Sequence, residues 1–274
     1  MEQTETLKDV LQFYVDAGVD IALDEMPHDR LAVPPQESRA GGGAATAQPA
    51  AVRSSASAPT PGFSETKPHE VNVQEARDRA ASANSLDELM ALLMSYEGCG
   101  LKRTATHTVF EDGNRDAKIM LVGEAPGRDE DLQGKPFVGR SGQFLDRMLK
   151  AAGFDRSHVY IGNIVAWRPP GNRAPTTAEM ELCKPFITRQ IELMKPELLV
   201  FLGASSAKNM LQSSDGILKL RGKWRTYSKA EIPVLPMLHP AYLLRQPAQK
   251  RLAWRDLLSL RKAAIEKAIL SPDA

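Results

Sequence analysis

Apolar residues follow two spacings along this chain. From Lys118 onward, four short runs are almost continuously apolar and rich in β-branched residues: "KIMLVGEA", "VYIGNIVAW", "ELLVFLGA" and "IPVLPMLHP". Runs of this length without polar alternation predict strands covered on both faces. Between them, apolar residues recur at helical spacing. "SGQFLDRMLKAAG" predicts a helix with Ser141 as N-cap and Gly153 just past its end. "TTAEMELCKPFITRQIELMK" predicts a helix that starts at the threonine pair and bends or splits at Pro185. A last helix is expected over roughly 248–269, and an earlier one over 72–95 with a restart at Asn84 or Ser85.

Strands that alternate with helices predict an α/β fold, a three-layer α/β/α sandwich around a central, mainly parallel four-stranded sheet. That domain is expected over 71–274. Ahead of it, Leu7, Val10, Leu11, Val15 and Val19 fall near helical spacing, which predicts an amphipathic helix within 1–26. Residues 27–70 are rich in Ala, Pro, Gly and Ser and have no periodicity, so a disordered linker is expected there.

Composition narrows the class. The chain has 274 residues, 42% hydrophobic and 25% charged, enough for a proper core. No apolar run reaches the roughly eighteen residues of a membrane span. The start, "MEQTETLKDV", resembles neither a secretory signal nor a transit peptide. Cys99 and Cys183 are the two cysteines, too few for a disulfide framework and not at metal-ligand spacing. A protein of the bacterial cytosol with reduced thiols is the expectation. The net charge of +1 hides an asymmetry: residues 1–90 hold seven Lys/Arg against fifteen Asp/Glu, and residues 91–274 hold twenty-eight against nineteen. A basic globular part suits a polyanionic partner.

In parallel sheets ligands sit beyond the carboxyl ends of strands, and the unusual residues cluster there. The first run leads into "GEAPGRDEDLQGKPFVG". Gly127 and Gly134 have six residues between them rather than the four of a phosphate-binding loop, and the calcium-loop likeness of "DEDLQG" ends in Arg140 where a bidentate Glu is required. A buried amide such as Asn163, inside "YIGNIVAW", costs about 1–3 kcal/mol unless its hydrogen bonds are met. Phe137 stands among glycines and charges. His239 closes the last apolar run, and Pro240 fixes its direction. Together these suit a planar, hydrogen-bonding ring: Phe137 as a plate, Asn163 at its edge, His239 as donor to a developing oxyanion, and Glu124 to position water or steady a cationic sugar. Flanking "RPPGNR", "KLRGKWR" and "YLLR" suit phosphates around an extruded base. The chemistry this suggests is hydrolysis of an N-glycosidic bond, driven by preorganised electrostatics.

"VGEAPGRDEDLQGKPFVGRSG", "NIVAWRPPGNRAPT" and "HPAYLLR", in this order over roughly 96–262, closely resemble the characteristic segments of the family 4 uracil-DNA glycosylases. The resemblance implies a base-excision repair enzyme that flips deoxyuridine from DNA, single- or double-stranded, releases uracil and leaves an abasic site. It implies Gly123, Ala125, Pro126, Gly127, Phe137 and Asn163 around uracil, with Glu124 and His239 as catalysts and Glu130 and Asp131 as second carboxylate candidates. Arg140, Arg168, Arg173, Lys223, Tyr242, Leu243, Leu244 and Arg245 are expected to face DNA, with 242–244 entering the duplex. Two alternatives stay open: a uracil-DNA-binding relative with altered catalysis, and a glycosylase of broader deaminated-base choice. The family's iron–sulfur cluster takes four cysteines; here Tyr96 and Trp167 stand at two ligand positions, so no cluster is expected and these rings should plug the vacated volume. No metal or other cofactor is expected. A monomer is expected, with residues 1–26 as the contact for a repair or replication partner.

Overall fold

The computed structural model describes residues 68–227 and 231–272. The expected helix in 1–26 and most of the expected linker lie outside the described residues.

Two helices open the described chain, α1 (Pro68–Ser82) and α2 (Leu86–Ser95). The expected restart occurs at Ser85, whose side chain accepts the Glu88 amide at the N-terminus of α2. The strands follow as β1 (Asp112–Gly113), β2 (Ile119–Gly123), β3 (Val159–Asn163), β4 (Leu198–Leu202), β5 (Arg225–Tyr227) and β6 (Ile232–Met237). They form a six-stranded sheet in the order β1-β3-β2-β4-β6-β5. The four apolar runs are its parallel centre, β3-β2-β4-β6. The expected four-stranded count misses β1 and β5, antiparallel edges of two and three residues. Edges this short carry no readable alternation.

Side-chain alternation explains why the central runs are apolar throughout. Met120, Val122, Tyr160, Leu199 and Phe201 enter one core, while Ile119, Leu121, Val159, Ile161, Leu198 and Val200 enter the other. The first core is covered by α1, α2, α5 (Thr177–Met194) and α6 (Ala204–Leu211). The second is covered by α4 (Arg140–Ala151) and α9 (Lys250–Glu266). Three short helices complete the set: α3 (Arg128–Gln133), α7 (Ile217–Leu220) and α8 (Pro240–Arg245).

Two helix expectations change. The cap of α4 is Gly139 with no side-chain bond, so Ser141 lies within the first turn. Helix α5 starts where expected, with Thr176 and Glu179 in a capping box, but it runs unbroken through Pro185. The packing of the buried α5 face, from Met180 to Ile191, holds the helix across the missing amide.

Because β2 runs to β3 on one side and the chain then returns past β2 to β4, the order reverses beside β2. A crevice opens at the carboxyl ends of the strands at such a reversal.

Candidate functional site

All four central strands deliver residues to one cavity of about 550 Å³. Glu124 and Pro126 follow β2, Asn163 ends β3, Gly203 and Ser205 follow β4, and His239 follows β6. Phe137 and Ser141 complete the wall, so the structure gathers Glu124, Phe137, Asn163 and His239 around one space. The first turns of α4 and α6 also open on it, through Ser141 and Ser205. Helix N-termini favour negative charge in that space.

Phe137 is placed by non-local contacts. Its backbone is left-handed, with φ of 54°, a conformation costing a non-glycine residue of order 1–3 kcal/mol. The Arg156 guanidinium donates to the Phe137 carbonyl and is itself held by Asp112 and by Asp146, the latter at 2.8 Å. A side chain at Gly142 would run into that same carbonyl and stand 2.7 Å from the Phe137 Cα. Glycine is therefore required there. The Phe137 ring lies 5.5 Å from the His239 ring with 30° between planes. Nothing in the local sequence points to Arg156, nineteen residues away.

Glu130 and Asp131, offered by the sequence as reserve catalysts, are ties. Glu130 accepts from the Val138 amide at 3.0 Å, the Gly139 amide at 2.9 Å and the Gly127 amide at 3.1 Å. Asp131 accepts from Thr106 and His107 amides at 2.8 and 3.1 Å and from the Thr106 hydroxyl at 3.1 Å. Both carboxylates are buried and each accepts three hydrogen bonds from the chain; Glu130 also lines the cavity, whereas Asp131 does not. Glu124 has no such ties within the described residues.

Asn163 is 6% exposed, and its amide has no hydrogen-bond partner among the described residues. Its remaining outlet is the cavity it lines. Across the β2–β3 register it faces Gly123. Any side chain at Gly123 would crowd the Asn163 amide and come within 2.7 Å of the Phe137 ring, so the glycine keeps plate and amide apart.

His239 caps α8: its Nδ1 accepts the Ala241 amide at 3.1 Å. The proton of the neutral ring must then sit on Nε2, leaving that nitrogen a donor. Burial, with the nearby Arg245 charge, pushes the imidazole down to about 4. The ring is neutral at physiological pH.

The outer wall is less uniform than the sequence implies. Tyr242 and Arg245 line the cavity and Leu244 is half-buried, but Leu243 has no exposed surface and packs between α4 and α9. Leu243 is thus a core residue rather than one that enters a duplex; its place on the inner face of α8 decides this. Arg173 lines the cavity and pairs with Glu179 at 2.7 Å, while Arg168 donates to Asn172 at 2.7 Å. Arg140 and Lys223 are exposed and lie outside the cavity lining. Asn172, Pro175 and Ser205 line the cavity without having been singled out by sequence.

On the α1–α2–α5 side, Tyr96, Cys99, Trp167 and Cys183 are all buried in the first core. Tyr96 donates its hydroxyl to the Asn72 carbonyl at 3.0 Å and packs 5.3 Å from the Phe186 ring. The Trp167 indole donates to the Thr108 hydroxyl at 3.0 Å. Cys183 donates to the Cys99 sulfur across 4.0 Å, and this contact together with burial raises the Cys183 thiol. Among the described residues, no group of three or more His, Cys, Asp or Glu side chains converges to hold a metal ion.

Comparison with known proteins agrees on one family. Residues 110–258 match the model of the uracil DNA glycosylase superfamily. A type-4 uracil-DNA glycosylase of Sulfurisphaera tokodaii is 38% identical over 66% of this chain and 86% of its own length. Those of Archaeoglobus fulgidus and Thermotoga maritima are 40% and 39% identical, over 60% and 58% of this chain and 85% and 84% of theirs.

Proposed function

The chain belongs to the uracil DNA glycosylase superfamily, among its type-4 members, and from that premise we propose how its own residues divide the work. The protein is a hydrolase of DNA repair that excises uracil from DNA. An extruded uracil stacks on Phe137, and the free Asn163 amide pairs with its edge. His239, neutral and protonated on Nε2, donates to a uracil carbonyl oxygen. Glu124 stands by the sugar.

As the C1′–N1 bond breaks, its electron pair moves onto the base, which leaves as an anion. A neutral donor suits that anion because it need not lose a proton to act. The α4 and α6 N-termini add to the same stabilisation. Glu124 faces the opposite charge, the oxocarbenium-like sugar, and orients the water that adds at C1′. The water's surplus proton leaves as uracil takes one up. The observation that carries this reading is the convergence of Glu124, Phe137, Asn163 and His239 on one cavity.

Type-4 enzymes normally bind an iron–sulfur cluster, and the residues present here do not fit one. A cubane takes four thiolates, whereas Tyr96 and Trp167 are buried, hydrogen-bonded and packed in the core that Cys99 and Cys183 share. Two thiols in mutual contact and two satisfied rings leave no ligand set. We assign the four residues to a structural core and route no step through a cluster. No helix among the described residues is long and apolar enough to cross a membrane. A monomer of the bacterial cytosol, with residues 1–26 recruiting a repair or replication partner, belongs to the same proposal.

The test is uracil release from a labelled oligonucleotide, scored as an alkali-labile site. Glu124→Gln and His239→Ala should each slow release about a hundredfold or more. Unaltered rates in both variants would remove the assigned roles. Anaerobically purified protein should be colourless; iron–sulfur absorbance would overturn the cofactor assignment.

A further inference from the structure

Behind α8 lies a second recess of about 230 Å³, separate from the base cavity. Its floor is apolar, formed by Leu243, Met148 and Leu257. Its rim is aromatic and cationic. Lys250 and Arg147 stand 5.0 and 5.7 Å from the Phe144 ring, and Trp254 is 41% exposed. The Trp254 indole N–H has no partner among the described residues. No acidic side chain lines the recess, and Arg251 and Arg255 are exposed beside it on α9. The nearby acids are engaged elsewhere: Asp146 with Arg156, and Asp256 with Arg221, which also bonds the Leu252 carbonyl and fixes α9 in place.

Helix α8 is the wall between the two spaces. Tyr242 and Arg245 face the base cavity while Leu243 faces the recess. One helix width, about 10 Å with side chains, separates them, a span that a few nucleotides cover. Aromatic faces within a cationic groove are how proteins hold single strands, because every base has a π face and every nucleotide a phosphate.

We propose that this recess is a stacking subsite for a second, unpaired base of the strand whose uracil is being excised, with Trp254 against the base and Lys250 and Arg147 on the adjoining phosphates. The proposal rests on the excision reading above, since a uracil extruded into the base cavity brings its strand to the α8 wall that Tyr242 and Arg245 form. Continuity with that wall and the one-sided charge favour nucleic acid over a protein ligand.

The experiment compares full-length wild type with Trp254→Ala, Trp254→Phe and Lys250→Glu on single-stranded uracil oligonucleotides trimmed stepwise from the 5′ side or the 3′ side. On the longest substrate Trp254→Ala should raise KM about tenfold, the usual scale for losing one stacked base. Trp254→Phe should restore most of that loss, and Lys250→Glu should add its own. Along one trimming series the wild type should lose its advantage at a definite length, so that it and Trp254→Ala converge on the shortest substrate. Equal KM values at every length, or a constant offset that persists on the shortest substrate, would overturn the subsite and leave the patch to a protein partner or to core packing. Anisotropy with uracil-free strands keeps the two readings apart. Trp254-dependent binding without uracil release would refute excision and retain the subsite; release with Trp254-independent binding would do the reverse.

Discussion

The base cavity and the Tyr96–Trp167 core use similar side chains in opposite ways. In the core every polar atom of the four key residues has a partner: Tyr96 with Asn72, Trp167 with Thr108, Cys183 with Cys99. At the cavity the backbone is tied by Glu130 and Arg156, while the Asn163 amide and the His239 Nε2 have no hydrogen-bond partner among the described residues. Phe137 and Asn163 are buried like the core residues, while Glu124 and His239 are half-buried. Hydrogen-bond saturation is what differs, and under the proposed function it separates a place that holds the fold from a place that awaits chemistry.

Three measurements probe this contrast, in descending order of effect. Trp167→Ala removes a fully buried indole from the saturated core and should cost about 3–5 kcal/mol of stability, read by urea denaturation. Uracil release per folded molecule should stay near that of the wild type. A selective loss of turnover in folded protein would place this core in the chemistry. Asn163→Ala should show the opposite pattern. It breaks no hydrogen bond within the described residues and removes an unpaired buried amide, so stability should hold or rise, by up to about 1–3 kcal/mol, while uracil release falls about a hundredfold. A large drop in melting temperature would mean that the amide is structural after all.

The smallest effect concerns pH. The imidazole of His239 is held near 4, below the ordinary value of 6.5. Its neutral form is therefore favoured by folding, and the associated stability is fully present above pH 6.5 and lost as pH falls toward about 4. Stability should decline over that window, and His239→Gln should flatten the decline. Uracil release should show no inflection near pH 6.5 from this residue. An inflection there that vanishes in His239→Gln would contradict a donor already neutral.

Much of this arrangement is legible in the sequence. The four central strands declare themselves because both of their faces are buried, and Thr176 with Glu179 marks a helix start through local hydrogen bonds. The departures arise where the deciding contact is distant or lacks a side chain. Gly139 caps α4 through backbone alone, so Ser141 looked the better cap. Glu130 and Asp131 read as second catalytic candidates because an acidic run sits beside the site, and their structural partners at Thr106, Val138 and Gly139 emerge only on folding. Leu243 shares its sequence neighbourhood with exposed residues, and the short turn of α8 alone sends it inward. Arg156 left no local sign.

The thirteen-residue excursion from Gly127 to Gly139 hangs on Glu130, which bonds the amides at both of its ends. Gly134 and Lys135, just past the end of α3, form the outer bend of this excursion, and its two ends are already tied together. Insertions there should lengthen the bend without displacing the ring at Phe137. That makes it a natural port for grafting a peptide or a fluorophore beside a working repair site.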